Sequence, residues 1–391
     1  ETDWERLGMK CETFRFDEVT INFDRKRIPL SAKQRSERQG NYRYYGAQGV
    51  IDYVNDYIFD GTYLLIAEDG ENLKSKKQNI AQVAKGKFWV NNHAHIVQTN
   101  ELCDLQYLHY LINSMDLSGY ITGSAQPKLS QANLNAVTLQ LPFIDEQKKI
   151  VAILGSLDDK IELNNKINEN LQQQAAAIFR SWFVDCVPFG GTAPDEWENV
   201  TLEGITALVS RGITPKYADD TDQIVINQKC IRNHMIDLSF ARSHRPKVIN
   251  DKWLRFGDLL INSTGDGTLG RAAQVWFQPH NLTVDSHVTI VRPAAENMTF
   301  YIGLWGTQHE REIESLHTGS TGQTELPRDR VKALELLLPD KETLNRFNAL
   351  IAPMAATIVS NQEENNRLVS IRDALLPRLM SGEIDVSAIQ I

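Results

Sequence analysis

From Ile150 onward the apolar positions alternate spacings of four and three residues: Ile150, Leu154, Leu157, Ile161, Asn164, Asn168, Leu171, Ala175 and Ile178. This is the a/d stripe of a coiled coil, narrower than the stripe by which a helix usually joins a globular core. A second stretch repeats it with Phe347, Ile351, Met354, Ile358, Asn361, Asn365, Leu368, Arg372 and Leu375, and only Arg372 breaks the pattern of apolar and amide side chains. Each stripe predicts a helix on the order of 55 Å long. Two such seams in one chain most simply pack against each other antiparallel. Leu157, Ile161, Leu171, Met354, Ile358 and Leu368 would then supply the apolar register, while Asn164, Asn168, Asn361 and Asn365 would fix register and orientation at some expense of stability. The alternative is that each helix packs on its own neighbouring module.

The matching stripes are part of a wider internal repeat, offset by about 195 residues. Asp3-Trp4-Glu5 returns as Glu196-Trp197-Glu198, Val90-Asn91-Asn92-His93 as Val284-Asp285-Ser286-His287, and Thr122-Gly123-Ser124 as Thr318-Gly319-Ser320. The run ending Leu141-Pro142 returns ending Leu338-Pro339. After these prolines the offset is constant, so that Leu157 pairs with Met354 and Leu171 with Leu368. The chain therefore divides into a first module (1–140), a first helical region (141–187), a second module (188–338) and a second helical region (339–391). Short β-prone runs such as Tyr63-Leu64-Leu65-Ile66-Ala67, Phe88-Trp89-Val90 and Asp258-Leu259-Leu260-Ile261-Asn262 are broken by Gly, Asn and Asp, with helix-like stretches toward each module's end. The fold class is α/β (α+β).

Hydrophobic content of 42% argues against disorder. No apolar run is long enough to span a membrane and no export signal stands at the N-terminus, so a cytoplasmic chain without membrane association is expected. Cys11, Cys103, Cys186 and Cys230 are too dispersed for a zinc knuckle or a disulfide framework. The net charge of −9 speaks against a nucleic-acid partner, because phosphate contact needs local positive charge. Clustering answers that objection in part. Arg25, Lys26, Arg27, Lys33, Arg35, Arg38 and Arg43 face a single Glu37, with Tyr42, Tyr44 and Tyr45 beside them; Lys74, Lys76, Lys77, Lys85 and Lys87 follow. In the second module Lys229, Arg232, Arg242, Arg245, Lys247, Lys252 and Arg255 form a comparable cluster, with Lys216 ahead of it.

No catalytic constellation accompanies these clusters: Walker A, G-x-S-x-G and H-E-x-x-H motifs are all missing. Gly265 to Gly270 fits G-x-G-x-x-G, but the β-prone residues after it predict a hairpin turn rather than a nucleotide-binding helix start. His93 and His287 occupy equivalent repeat positions, lack a second ligand at helix spacing, and read as structural histidines.

The stretch Leu141-Pro142-Phe143-Ile144-Asp145-Glu146-Gln147-Lys148-Lys149-Ile150, continuing through Leu157-Asp158-Asp159-Lys160-Ile161 to Phe179-Arg180-Ser181-Trp182-Phe183, resembles the central helical region of type I restriction-modification specificity subunits. Leu376-Pro377-Arg378-Leu379-Met380-Ser381-Gly382-Glu383-Ile384 is similar to that family's C-terminal ending. Arg27-Ile28-Pro29-Leu30, Tyr45-Gly46-Ala47-Gln48-Gly49 and Leu65-Ile66-Ala67-Glu68-Asp69-Gly70 resemble one kind of target-recognition domain, and Gly212-Ile213-Thr214-Pro215-Lys216 another. The resemblance implies that each module reads one half of a split double-stranded DNA site. It also implies that the paired helices set the spacer and dock two methyltransferase subunits, and that restriction/translocase subunits join the complex. No cofactor is expected in this chain; S-adenosylmethionine, ATP and Mg belong to the partner subunits. On physical grounds the basic clusters hold phosphates, while Gln48, Asn227, Gln228, Arg232 and Gln323 are candidates for base edges. A coiled-coil protein-interaction scaffold would explain the helices without the paired basic clusters. Because the chain starts at Glu1, an initiator methionine or short leader is expected ahead of it, and its acidity suggests weak DNA binding without the methyltransferases.

Overall fold

The computed structural model describes residues 11–76, 78–123, 126–219, 221–265, 267–319, 324–387 and 389. It is mixed helix and strand, with helices Ile144–Phe183 and Lys341–Met380, each of 40 residues. The chain forms two compact units, Glu1–Ile161 with Arg367–Ile391, and Glu162–Asn366. Each unit takes in one globular module and part of both long helices; the four segments read along the sequence follow chain order rather than packing.

The first unit contains β1 (Cys11–Arg15), β2 (Thr20–Asn22), β3 (Gln39–Gly46), β4 (Gly49–Val54), β5 (Phe59–Ala67), β6 (Ala81–Val90), β7 (Ala94–Thr99) and β8 (Thr138–Pro142). Six of them form a sheet in the order β2-β7-β5-β6-β3-β4, in which only β3 and β6 run parallel. Leu64 to Ala67 are all buried. A continuous apolar run suits a strand covered on both faces. Helix Leu105–Ser114 is started by Asp104, whose carboxylate accepts from the N–H groups of Gln106 and Tyr107. Its Tyr107, Leu108 and Ile112 join Leu64 and Ile66 in one core, which also holds Ile150, Leu154 and Leu379 from the long helices.

The second unit contains β9 (Glu198–Thr201), β10 (Thr206–Arg211), β11 (Ile224–Ile226), β12 (Ile231–Arg232), β13 (Met235–Ile236), β14 (Arg242–Ser243), β15 (Leu259–Asn262), β16 (Ala272–Gln274), β17 (Leu282–Val284), β18 (Val288–Pro293) and β19 (Glu335–Leu338). β10-β18-β15-β16 form one sheet and β14-β11-β17 another, with β11 and β17 parallel. The plan repeats that of the first unit: β15 matches β5, β18 matches β7, and β9 with β19 matches β1 with β8. Where β6 is continuous, its counterpart is split into β16 and β17, and Pro279, which has no N–H for a ladder, lies in the gap. β15 and β16 pair antiparallel across the glycine-rich loop. The flanking residues are thus strand on both sides, as predicted, while Asp266 within the loop lies outside the described residues.

Within each unit the two long helices run antiparallel along the predicted seam. In the second, Asn164 Nδ2 donates to Asn365 Oδ1 at 2.9 Å and to Glu364 Oε2 at 2.7 Å, and Asn361 Nδ2 donates to Asn168 Oδ1 at 2.8 Å. Ala175, Phe347, Ile351 and Ile358 are buried in one core with Leu171 and Met354 packed against it. In the first unit Arg372, the break in the pattern, bonds Asp158 at 2.9 Å, and Asp158 also accepts from Tyr110 at 2.6 Å. Leu157, Ile161 and Leu368 are half-buried. The helices also pack on their modules, so the two sequence-level alternatives coexist.

Candidate nucleic-acid interface

One cluster of loops is built the same way in both units. In the first, Asn91 N–H donates to Tyr45 O at 3.0 Å, tying the turn after β6 to β3. Asn91 Oδ1 then accepts from His93 N–H at 2.8 Å, and His93 O accepts from Glu68 N–H at 2.9 Å. The His93 Nδ1 meets Asp69 Oδ2 at 2.7 Å. Glu68 O accepts from Leu129 N–H, and the Asp69 backbone bridges Lys128, which is also bridged to Thr122. Gly70 closes the loop at φ 114°, and a Cβ there would lie 3.7 Å from Gln48 Nε2.

The second unit repeats every step. Asp285 N–H donates to Ile226 O at 2.9 Å, Asp285 Oδ1 accepts from His287 N–H at 2.8 Å, and His287 O accepts from Ser263 N–H at 2.8 Å. His287 Nδ1 meets Thr264 Oγ1 at 2.8 Å, and Thr264 Oγ1 donates to Gln228 Oε1 at 3.1 Å. Gly265, at φ 101°, would bring a Cβ to 2.9 Å from Gln228 Nε2. A side chain here would be strained and would displace the glutamine. Burial pushes the Asp285 carboxyl above its ordinary value, against the bond from His287 N–H.

Behind the first loop cluster lies a set of enclosed charges. Arg27 bonds Glu68 at 2.7 Å and lies 3.4 Å from Asp24; His95, almost fully buried, bonds Asp24 at 2.6 Å and Leu129 O at 2.8 Å. Lys128 reaches Glu68 at 3.2 Å. Burial opposes ionisation of Asp24, but bonding and attraction from His95, with Ile96 N–H and Arg27, hold it below its ordinary value. Glu68 is held low in the same way by Arg27, His95 and Lys128 against its burial. In the second unit a neutral pair, Ser263 Oγ and Thr289 Oγ1 at 2.6 Å, occupies the equivalent place.

The predicted phosphate contacts divide on this structure. Arg25, Lys26, Lys33, Arg38 and Arg43 are exposed. Arg27 is an interior ion-pair residue with a side chain 15% exposed. Arg35 bonds Asp52 and Leu30 O and lies over the Tyr44 ring, so both of these arginines support the scaffold. Lys74 donates to Gly123 O, and Lys76 to Met115 O, while Lys77 lies outside the described residues. Gln48 is exposed at the β3–β4 turn.

In the second unit Lys216, Lys229, Arg232, Arg242, Arg245 and Lys247 are exposed. Arg242 stacks 3.6 Å over Tyr217 and Arg232 lies 5.4 Å over Phe240, which gives aromatic support to two of the cations. Asn227 caps a turn, accepting from Lys229 N–H and donating to Phe240 O. Its amide therefore shapes the loop that carries Gln228. Gln323 lies outside the described residues.

Among the described residues no three His, Cys, Asp or Glu side chains gather to hold a metal. Burial pushes the Cys103 thiol up to about 12 and Cys230 up to about 11, values at which a thiol is a poor nucleophile. No helix among the described residues is long and apolar enough to cross a membrane.

Comparison with known proteins agrees with this geometry. Residues 9–173 match a family model described as type I restriction modification DNA specificity domain. A putative type I restriction enzyme specificity subunit of Haemophilus influenzae is 25% identical, over 88% of this chain and 87% of its own. The MjaIX specificity subunit of Methanocaldococcus jannaschii is 27% identical over 72% of this chain and 69% of its own. Over most of its length the chain is similar to type I restriction-modification specificity subunits. The crystal structure of such an S subunit from M. genitalium shares the fold with a TM-score of 0.57, at 12% identity and covering 95% of this chain and 96% of that one.

Sequence reasoning singled out His93 and His287 only as structural histidines and left out their partners, Asp69 and Thr264. The available signal was their recurrence at equivalent repeat positions. The missing information was the strand order that brings each histidine to the loop carrying Asp69 or Thr264.

Proposed function

We propose that this chain is the DNA sequence-recognition subunit of a type I restriction-modification complex, each globular module reading one half of a bipartite double-stranded DNA site. The observation that carries the reading is the duplicated loop cluster, built on the same backbone bonds in both units but furnished with different side chains. Equivalent frames with different polar groups suit two half-sites of different sequence. Exposed cations in each unit supply local positive charge despite the net charge of −9.

The long helices set the unread spacer and dock two methyltransferase subunits. Off the seam, Leu163 and Ile167 are 52% and 38% exposed, four residues apart on one helix and hence on one face. These are fitting contacts for a partner helix. Restriction/translocase subunits complete the complex, and S-adenosylmethionine, ATP and Mg act in those partners, so catalysis lies outside this chain.

Mapping methylated adenines in DNA from cells carrying the chain with its methyltransferase tests this reading. The expected result is a bipartite motif in which exchange of residues 188–338 for another subunit's module alters one half only. A motif unaffected by the exchange would overturn it.

A further inference from the structure

We propose that His93 and His287 are base-reading residues, one for each half-site, held in orientation by Asp69 and Thr264. This rests on the DNA-recognition function proposed above.

Each histidine is presented more rigidly than a solvent-facing side chain requires. Its N–H is bonded within its own turn, to Asn91 or Asp285, and its carbonyl and ring Nδ1 to the neighbouring loop, yet the His93 side chain is 51% exposed and His287 is also exposed. Among the described residues neither Nε2 has a hydrogen-bond partner. Holding a phosphate needs charge more than fixed geometry, whereas a base edge must be met at a set angle.

Nδ1–H is assigned by the partners. The Asp69 carboxylate can only accept, and Thr264, whose proton goes to Gln228, accepts as well. A ring that carries its single N–H at Nδ1 presents Nε2 as an acceptor, suited to the exocyclic amino group of adenine or cytosine. A glutamine beside each pair, Gln48 near Gly70 and Gln228 on Thr264, offers both a donor and an acceptor to an adjacent base. The loop partner differs between units, a carboxylate in one and a hydroxyl in the other, so the two readers are not duplicates.

The test uses the chain assembled with its methyltransferase subunits and duplexes carrying the methylated site mapped in cells, against a set with single base-pair replacements. His93→Ala should abolish discrimination of roughly 5- to 150-fold at one base pair of one half-site, and His287→Ala the same in the other half. His93→Gln, Asp69→Ala and Thr264→Val test orientation, the last keeping the size of the side chain; the Asp69 and Thr264 changes should weaken discrimination at the same base pair as loss of their histidine. Equal weakening on every duplex, as from a lost phosphate contact, or discrimination unchanged at all positions would overturn the inference. A wild-type complex that prefers no sequence would instead refute the DNA-recognition function on which it rests.

Discussion

The Nδ1 of His95 lies 2.6 Å from Oδ2 of Asp24, and both side chains are almost wholly buried beneath the loop that carries Glu68 and Asp69. Removing the carboxylate would leave the buried Nδ1 of His95 without its partner and Arg27 with Glu68 but not Asp24 beside it. Asp24→Ala should lower stability by about 3–5 kcal/mol, the usual result of breaking a buried pair, as read from the urea unfolding midpoint. A midpoint within experimental error of the wild type would show that the cluster is not structural.

The same cluster sets a pH dependence. Asp24 and Glu68 are both held below their ordinary values, so in acid the unfolded chain binds protons that the folded chain does not. Their stabilisation is complete above the ordinary carboxylate range, near about pH 4, and is lost as pH falls through the lower folded values. An Asp24→Asn, Glu68→Gln double variant should therefore show a flatter fall of stability with acidification than the wild type. Parallel curves would rule out these two groups as its source.

Across the helix seam, Asn164 and Asn365 bond at 2.9 Å in a mostly enclosed layer. Asn164→Leu alone strands a polar partner and should cost about 1–3 kcal/mol. Adding Asn365→Leu should recover that loss, giving a coupling of about 0.5–3 kcal/mol in a double-mutant cycle. Additive effects would mean that the layer does not act as a pair.

The helices were legible because their period persists through nine seam positions, and no seam position of either helix is exposed in the structure. Even the exception, Arg372, is resolved by the neighbouring Asp158. The reading site was less legible for a physical reason. Gln48, Asp69 and His93 come together through the order of β3, β5, β6 and β7, which single-sequence patterning does not specify. Charge clustering also merged unlike residues: Arg25 and Arg27 are two positions apart, yet one is exposed and the other is an interior ion-pair residue.

Thiol chemistry offers an independent check of burial. With Cys103 pushed up to about 12 and Cys230 up to about 11, their thiolate populations at pH 8 are far below that of an ordinary cysteine, and access is closed as well. Alkylation of the native protein should leave both unlabelled over times that fully label the urea-unfolded chain. Rapid native labelling of Cys230 would show that the second core opens readily.

Salt dependence separates cations that hold phosphate from those that hold the fold. Arg245 and Lys247 are exposed in the second unit, whereas Arg27 bonds Glu68, Asp24 O and Ala94 O. For the assembled complex, Arg245→Gln or Lys247→Gln should weaken binding to all duplexes alike and reduce the slope of log affinity against log salt by about 1 each, because one fewer counterion is released. Arg27→Gln should leave that slope unchanged while lowering the unfolding midpoint, since its charge is already neutralised within the protein. A reduced slope for Arg27→Gln, with stability intact, would place that guanidinium on DNA and require the Glu68 pair to open in the complex.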